Sequence, residues 1–284
     1  MAGSIVLKTE IPGPKSRDLM RLVEEHTPRG IGHVTPIAIA HAEGALLTDV
    51  DGNIFIDWAG GIGALNAGHR AGEVTAAIKD QADSYLHLCF MVTLYEPYVR
   101  LAQKLNEITP GGFRKKTILF NSGSEAIDNA IKIARAYTGR HAIISYERGF
   151  HGRTVGALSL TGQFKPYKDK VGPLLADVHH IPFPYVYRCG DCLETPCDRH
   201  SPEYLREVFR SRVAAEDVAA VIAEPVLGEG GFVVPPPGYF AAVKSICEEN
   251  GIVFIADEVQ TGFGRTGKLF AVEHWGINPD LMTM

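Results

Sequence analysis

The feature that most constrains the fold is an alternation of short apolar runs with helical patterns that begins at residue 117. The runs are continuous, and they occupy residues 117–121, Ala142–Tyr146, Val218–Ala223, 252–257 and 281–284. Runs of this kind are typical of strands that are buried on both faces of a parallel sheet. The segments between them carry apolar residues at helical spacing. The alternation predicts an α/β fold with a mostly parallel central sheet flanked by helices.

The first 60 residues have a different pattern. Strand-like runs at residues 45–50 and 53–57 flank Asp51-Gly52, a dipeptide typical of a hairpin turn, and Ser16 is predicted to cap a short helix before them. Amphipathic helices are predicted over residues 72–88 and 96–108. We expect residues 1–60 to form the N-terminal part of a small domain. Residues 61–284 are expected to form a large domain that continues past the last residue shown.

Composition argues against several classes of partner. Lysine and arginine number 28 and aspartate and glutamate 33, which gives a net charge of −5 and predicts no binding of nucleic acid or of an anionic membrane. The apolar runs are shorter than the about 20 residues that a membrane helix requires, and no secretory signal pattern is visible. Five cysteines, an odd number, do not suggest a disulfide framework, so we expect a cytoplasmic protein.

Polar segments, most of them containing glycine, follow four of the predicted strands. They are Ser122-Gly123-Ser124, Phe150-His151-Gly152-Arg153, Glu224 with residues 225–231, and Asp257 with residues 258–260. Open parallel sheets bind ligands beyond the carboxyl ends of their strands. The four segments are therefore predicted to meet at one rim and to form a ligand site.

Two interpretations remain open for the segment that begins at Ser122. A turn of small residues that leads into a helix offers backbone N–H groups and the positive end of the helix dipole to a phosphate. Ser122 followed by Glu125 is equally typical of a capping box that serves only the helix. Gly123 favours the phosphate interpretation slightly, because a residue without a side chain lets a ligand approach the backbone.

The other polar residues also have alternatives. A carboxylate at the end of an apolar strand needs a partner, so Asp257 is expected to contact either a protonated ring nitrogen or a metal ion. Residues 262–268 spell G-x-x-x-x-G-K, but Leu269 stands where a nucleotidase needs Ser or Thr, and we reject a nucleotide-binding loop. His151 is either a general acid or base or a residue that fixes the backbone, and Arg153 binds either a carboxylate or a surface partner.

Taken together, these segments resemble the class III, fold type I, pyridoxal-phosphate aminotransferases, and most closely the members that use 4-aminobutyrate. The resemblance runs through DVDGNIFIDWAGGIGALNAGH, SGSEAIDNAIKIARAYTGR, GFHGRT, IAEPVLGEGG and GIVFIADEVQTGFGRTGKLFAVEHWGINPDL, in that order. It implies a fold type I cofactor domain, with a smaller α+β domain to which the N-terminus contributes.

The resemblance also implies a set of cofactor-binding residues. They are Gly123, Ser124, Phe150, His151, Asp257, Val259 and Gln260. Gly123 and Ser124 would hold the phosphate of pyridoxal 5'-phosphate, and Val259 and Phe150, where relatives often have tyrosine, would cover the two faces of its ring. Gln260 would bind the phenolic oxygen. Asp257 is the expected catalytic residue, because its ionised carboxylate would keep the ring nitrogen protonated.

Four further residues correspond to substrate-side positions of the family. They are Ile62, Arg153, Glu224 and Glu229. In the members that use 4-aminobutyrate, the residue matching Arg153 grips a substrate carboxylate. The residue matching Glu229 pairs with a second arginine from later in the chain.

The implied activity is transfer of an ω-amino group from 4-aminobutyrate or a similar amine or amino acid to 2-oxoglutarate or pyruvate, by a ping-pong mechanism. The lysine that forms a Schiff base with the cofactor is expected just after Met284. The family also suggests a homodimer. Alternatives on the same fold are an ornithine or acetylornithine aminotransferase, an ω-amine:pyruvate transaminase or an amino acid racemase. A non-catalytic binding protein is an alternative from another class.

One motif has no counterpart in the implied activity. Cys189, Cys192, Cys197 and His200 give the spacing C-x-x-C-x4-C-x-x-H. Such soft ligands at close spacing suit a structural zinc site, or an iron–sulfur link of the kind that some relatives carry nearby. The preferred interpretation is a surface loop with free thiols and no metal.

Overall fold

The computed structural model describes residues 5–189 and 197–284. The chain divides into two compact units, Met1–Tyr95 and Glu96–Met284. The predicted domain boundary at residue 60 stays a prediction. Among the described residues, the helices are all too short or too polar to cross a lipid bilayer.

The first unit holds a three-stranded antiparallel sheet with three helices. The strands are β1 (Ile39–Glu43), β2 (Leu46–Asp49) and β3 (Ile54–Ile56), in the order β1-β2-β3. The helices are α1 (Pro14–His26), the short α2 (Gly60–Gly63) and α3 (Gly72–Ser84). The predicted hairpin is confirmed, because β2 and β3 pair antiparallel on either side of Asp51-Gly52.

The predicted cap of α1 is wrong. The helix begins at Pro14, two residues before Ser16. Asp51, from the hairpin turn, accepts hydrogen bonds from the backbone N–H groups of Lys15 and Ser16 at 2.9 and 3.0 Å. The Ser16 hydroxyl donates to the same carboxylate at 2.8 Å. A residue distant in sequence therefore satisfies the N–H groups at the start of this helix, which a local capping pattern does not detect.

The second unit is built around a parallel sheet. Its strands are β4 (Ala142–Tyr146), β5 (Val178–Ile181), β6 (Val218–Ala223), β7 (Val253–Asp257) and β8 (Leu281–Thr283). They lie in the order β5-β4-β6-β7-β8, and each neighbouring pair is parallel. The helices are α4 (Glu96–Ile108), α5 (Gly123–Thr138), α6 (Val155–Leu160), α7 (Tyr204–Ser211) and α8 (Tyr239–Glu249). The predicted α/β fold with a mostly parallel central sheet is confirmed.

Helices cover both faces of this sheet. Ile143 and Ile255 face one side, where they pack with buried residues of α5 and α6. Ile144 and Phe254, one position away in the same strands, face the other side and pack with α7 and α8. Alternate residues of a strand point to opposite faces, so both need apolar side chains when both faces are covered. This explains why the strands appear in the sequence as continuous apolar runs.

One predicted strand does not form, and one strand was missed. Residues 117–121 form no strand, and this segment and residues 279–284 line part of a cavity of about 1030 Å³. The backbone N–H of Leu119 donates instead to the Tyr98 hydroxyl at 3.0 Å. The strand β5 was missed because His179 and His180 interrupt its apolar pattern, although it pairs with β4 in regular parallel register.

Candidate functional site

The predicted rim forms at the carboxyl ends of three adjacent strands. The strand β6 lies between β4 and β7, and Ile222 of β6 is in register with Ile255 of β7. The polar segments that follow these strands therefore leave the sheet side by side. The N-terminus of α5 reaches the same rim, as the contacts described below show.

A buried ion pair lies at the centre of the rim. Oδ2 of Asp257, the last residue of β7, lies 2.7 Å from Nδ1 of His151, and both side chains are almost fully buried. Burial alone would lower the pKa of His151, but the hydrogen bond and the charge of Asp257, helped by the charge of Glu224, raise it above its ordinary value. The contact with Asp257 therefore favours the protonated form of His151.

The other oxygen of Asp257 is held by two further donors. Its Oδ1 accepts hydrogen bonds from the hydroxyl of Thr283 at 3.1 Å and from the backbone N–H of Val259 at 3.2 Å. A carboxylate offers about four acceptor positions, and the described residues use three of them. The carboxylate is thus fixed in place and retains capacity for one more donor.

Glu224 occupies the equivalent position at the end of β6, but its partners are backbone groups. Its Oε1 accepts from the N–H of Phe150 at 2.7 Å, and its Oε2 accepts from the N–H of Gly228 at 2.9 Å. Burial raises the pKa of Glu224 to about 7, although the charge of His151 and the two backbone hydrogen bonds act in the opposite direction. The side chain joins the loop after β4 to the loop after β6, and its predicted role on the substrate side stays a prediction.

The structure of the start of α5 is compatible with both interpretations that the sequence left open. The Ser122 hydroxyl accepts from the N–H of Glu125 at 3.2 Å, and the Glu125 carboxylate accepts from the N–H of Asn121 at 2.8 Å, as in a helix cap. Gly123 and Ser124 are the first two helical residues, whose N–H groups have no partner carbonyl within the helix. Ser122 therefore serves the helix, and the two residues after it present the N–H groups suited to an anion.

A close backbone approach joins α5 to the loop after β4. The backbone N–H of Arg153 donates to the Ser124 hydroxyl at 3.0 Å. Gly152 has a φ of +127°, and a Cβ atom there would lie 2.1 Å from the Ser124 oxygen. Only glycine fits at this position, both for its backbone conformation and for the contact.

The loop after β7 contacts the same region through two other glycines. A Cβ atom at Gly123 would lie 3.0 Å from Val259, which places the Val259 side chain against the start of α5. A Cβ atom at Gly228 would lie only 1.4 Å from Oε1 of Gln260, so the amide of Gln260 occupies the space that Gly228 leaves open. The structure thus brings all seven predicted cofactor-binding residues into one connected cluster.

An aromatic residue that sequence analysis missed links the predicted ring-binding and substrate-binding residues. The ring of Tyr167 lies 5.1 Å from the ring of Phe150, centroid to centroid, at an angle of 56°. The guanidinium of Arg153 lies 5.7 Å from the centre of the same Tyr167 ring. Tyr167 lies outside the helices and strands and belongs to no motif, so only the three-dimensional contact identifies it.

Ile62 and Glu229, two of the predicted substrate-side residues, have no described side-chain contact with this cluster. Ile62 belongs to the first unit, where it is 80% exposed and has a φ of +60°. Glu229 is exposed, and its backbone carbonyl accepts a hydrogen bond from Gln163 at 3.2 Å. Both assignments stay predictions.

The rejected nucleotide-binding motif forms no phosphate loop. Residues 262–268 form turns after β7, and a short 3-10 helix at Ala271–Trp275 follows instead of an α-helix. Of the cysteine motif, Cys189, Cys197 and His200 are described and lie close together, whereas Cys192 lies outside the described residues.

The donor set of the rim fits a planar, phosphorylated cofactor with a basic ring nitrogen. The start of α5 suits a phosphate, the half-buried ring of Phe150 provides an aromatic face, and Asp257 offers a buried carboxylate with acceptor capacity. His151 Nε2 is a buried polar atom with no hydrogen-bond partner among the described residues. Buried charges of this kind are typical of functional sites.

Comparisons with known proteins agree with this arrangement. Residues 28–284 match the family described as Aminotransferase class-III. The chain is 43% identical to a 4-aminobutyrate aminotransferase of Mycobacterium leprae, over 97% of this chain and 62% of that protein. It is 45% identical to a probable 4-aminobutyrate aminotransferase of Bacillus subtilis, over 92% of this chain and 60% of that protein.

A solved structure supports the same relationship. Taurine:2-oxoglutarate aminotransferase from Bifidobacterium kashiwanohense, in complex with PLP and glutamate, matches with a TM-score of 0.85 and 30% sequence identity. The match covers 94% of this chain and 60% of that one. The chain therefore spans less than two thirds of the length of these relatives.

Proposed function

Because the chain belongs to the class-III aminotransferase family, we propose that the full-length protein is a pyridoxal-phosphate-dependent aminotransferase that transfers an ω-amino group. The donor we propose is 4-aminobutyrate, the substrate in the names of the relatives from Mycobacterium leprae and Bacillus subtilis. The acceptor we propose is 2-oxoglutarate, with pyruvate as the alternative 2-oxo acid. We also propose that the protein is a cytoplasmic homodimer.

The observation that carries the proposal is the buried Asp257–His151 pair beside the start of α5. When bound, pyridoxal phosphate supplies a cationic ring that stabilises negative charge on the carbon next to the amino group. An ionised Asp257 would accept a hydrogen bond from the ring nitrogen and favour its protonated form. His151 lies at hydrogen-bond distance from the other side of the same carboxylate, so that its ring fixes the carboxylate in place.

The remaining residues of the cluster would orient the cofactor. Gly123 and Ser124 would hold the phosphate through backbone N–H groups and the helix dipole. Phe150 and Val259 would cover the two faces of the ring, and Gln260 would donate to its phenolic oxygen. These residues come from the start of α5 and from the loops after β4 and β7, so the sheet sets their relative positions.

Arg153 is proposed to recognise the substrate carboxylate. Its guanidinium lies on the ring of Tyr167, which in turn contacts Phe150, so a cation is held near the ring-binding residue. Arginine binds carboxylates well because its planar group donates two parallel hydrogen bonds. A donor without a carboxylate would not use this contact.

The activity test uses the full-length protein loaded with pyridoxal phosphate. We expect formation of glutamate from 4-aminobutyrate and 2-oxoglutarate, and a loss of at least about a hundredfold in rate for Asp257→Asn, because a neutral amide cannot stabilise the ring charge. The acceptor is tested by exchanging 2-oxoglutarate for pyruvate. Activity with ornithine but not with 4-aminobutyrate would contradict the proposed donor, and absence of pyridoxal-phosphate binding would contradict the cofactor.

The role of Arg153 is tested with Arg153→Gln. We expect a KM for 4-aminobutyrate raised about tenfold or more, and an unchanged KM for a donor amine that has no carboxylate. Arg148→Gln is the matched control, because Arg148 also lies over a tyrosine ring, that of Tyr185, at 5.5 Å. Equal effects of Arg153→Gln on both donors would contradict the assignment.

A further inference from the structure

Three soft metal ligands lie together outside the candidate site. Sγ of Cys189 lies 3.6 Å from Sγ of Cys197, which lies 3.6 Å from Nδ1 of His200. All three ligand atoms lie within 4.8 Å of one another, and each residue is partly buried. The proposed aminotransferase reaction uses none of these side chains.

Short helical turns on each side hold the ligands in place. Cys189 follows the 3-10 turn Val186–Arg188, and its backbone N–H donates to the carbonyl of Val186 at 3.1 Å. Cys197 precedes the 3-10 turn Asp198–His200, and its carbonyl accepts from the N–H of His200 at 2.9 Å. The backbone hydrogen bonds of the two turns therefore fix the backbone next to each ligand residue.

The hydrophobic core anchors the chain on both sides of these turns. Phe183, before the first turn, is 3% exposed, and Leu205 of α7, after the second, is 1% exposed. Both side chains belong to the same core cluster of the second unit. The approach of the three ligands is therefore supported by packing outside the segment that connects them.

Two of the three ligand–ligand distances match the edges of a zinc tetrahedron. With Zn–S bonds of about 2.3 Å and Zn–N bonds of about 2.0 to 2.1 Å, two sulfur ligands lie about 3.8 Å apart and a sulfur and a nitrogen about 3.6 Å apart. The observed separations are both 3.6 Å. A disulfide would instead require a sulfur–sulfur distance of about 2.05 Å.

We propose that Cys189, Cys197 and His200 bind a zinc ion, with a water molecule or a further ligand completing the tetrahedron. Zinc suits this donor set because it prefers thiolate and imidazole ligands in tetrahedral geometry and undergoes no redox change. Binding releases the two thiol protons, so that two thiolates and a neutral imidazole face the ion. The ion ties the turn Val186–Arg188 to the turn Asp198–His200. This conclusion departs from the metal-free loop that the sequence favoured.

The test measures metal content in the full-length protein. The protein is kept reduced, equilibrated with Zn²⁺, freed of excess metal by gel filtration and analysed by mass spectrometry for zinc. We expect about one zinc per chain, and less than about a tenth of that in Cys189→Ser and in Cys197→Ser. Cys89→Ser is the matched control, because Cys89 is an exposed cysteine of the first unit, and it should retain the full zinc content.

A second measurement identifies the ligands without relying on the variants. Replacing zinc by Co²⁺ in the wild-type protein should produce the intense thiolate-to-cobalt absorption and the visible bands of tetrahedral cobalt, and both should disappear in Cys197→Ser. A wild-type protein with less than about a tenth of a zinc per chain would overturn the proposal. Full zinc content in both cysteine variants, iron with inorganic sulfide in place of zinc, or a Cys189–Cys197 disulfide under reducing conditions would overturn it as well.

Discussion

Two adjacent strands of the second unit end in a buried carboxylate, and the partners of these carboxylates differ. At the end of β7, Asp257 contacts the His151 ring and the Thr283 hydroxyl. One position beyond the end of β6, Glu224 accepts hydrogen bonds only from backbone N–H groups among its described partners. The first arrangement fixes a charge at the rim, whereas the second fixes the positions of two loops.

The difference shows that a buried carboxylate can either bind a charged group or hold backbone segments in place. A carboxylate with a cationic partner keeps its charge in a buried environment and can stabilise a positive ligand. Glu224 has no cation at hydrogen-bond distance among its described partners, so burial dominates and raises its pKa to about 7. Variants of the two carboxylates and of their partners can separate the two roles.

Removing the carboxylate of Asp257 should have the largest effect on stability. Asp257→Ala leaves the buried His151 ring without its partner, and we expect the free energy of unfolding to fall by about 3 to 5 kcal/mol at neutral pH if the ring carries a charge. Denaturant unfolding of the protein without cofactor measures this loss. Asp257→Asn is the control, because it keeps the shape and the Oδ1 acceptor and should lose less. A loss below about 1 kcal/mol for Asp257→Ala would show that the pair is not a charged couple.

Glu224 should make stability depend on pH in the opposite sense from an ordinary salt-bridged acid. Its pKa in the folded protein, about 7, is higher than the ordinary value of 4.5, so the folded state binds the proton more tightly than the unfolded state. The resulting stabilisation is complete below pH 4.5 and is lost as the pH rises through about 7. Its magnitude is about 3 kcal/mol.

The measurement compares the pH dependence of unfolding in the wild type and in Glu224→Gln. Because glutamine does not titrate, we expect the wild type to lose about 3 kcal/mol relative to the variant between pH 4.5 and pH 8. Glu229→Gln, on the same loop but exposed, should keep the wild-type pH dependence. Parallel pH profiles for the wild type and Glu224→Gln would refute the assignment of this titration to Glu224.

Gly228 leaves the space that the Gln260 amide occupies, so a side chain at this position should disturb the proposed contact between Gln260 and the cofactor. A Cβ atom at Gly228 would displace the Gln260 amide, which is the flexible end of a side chain, so Gly228→Ala should change stability by less than about 1 kcal/mol. It should weaken pyridoxal-phosphate binding by up to about tenfold, the value of one hydrogen bond. Gln260→Ala should weaken binding equally. If the double variant loses the sum of the two effects, the two residues do not act through the same contact.

The sequence predicted which segments form this rim, but not the contacts between them. The positions of Phe150, His151, Asp257 and Gln260 could be predicted because the segments that follow the strands of an open parallel sheet meet at one edge, and the strands were visible as apolar runs. The pairing of His151 with Asp257 spans 106 positions and could not be read from local patterns. The same is true of the hydrogen bond that the Phe150 N–H donates to Glu224, because the spacing of the two residues does not predict it.

Predictions of single elements failed where contacts distant in sequence decide the structure. Residues 117–121 are mostly apolar, but a strand requires a neighbouring backbone, and the N–H of Leu119 donates to the Tyr98 side chain instead. The strand β5 forms despite two histidines because β4 supplies its hydrogen bonds. The Ser16 cap failed for a related reason, since Asp51 from the hairpin satisfies the same N–H groups.

Thr283 should contribute the smallest effect, because it supplies one of several donors to Asp257. Its hydroxyl, on the last residue of β8, donates to Oδ1 of Asp257 at 3.1 Å, and the Val259 N–H donates to the same oxygen. Thr283→Val preserves the shape of the side chain but removes this donor, and we expect a loss of about 1 kcal/mol in the free energy of unfolding. Thr283→Ser is the control and should lose less, because it keeps the hydroxyl.

The His151 contact is on the other oxygen of Asp257, so the pKa of His151, followed by NMR titration, should change little in Thr283→Val. A large fall in that pKa would mean that Thr283 positions the whole carboxylate, and that the β7 end depends on neutral donors as much as on its charge.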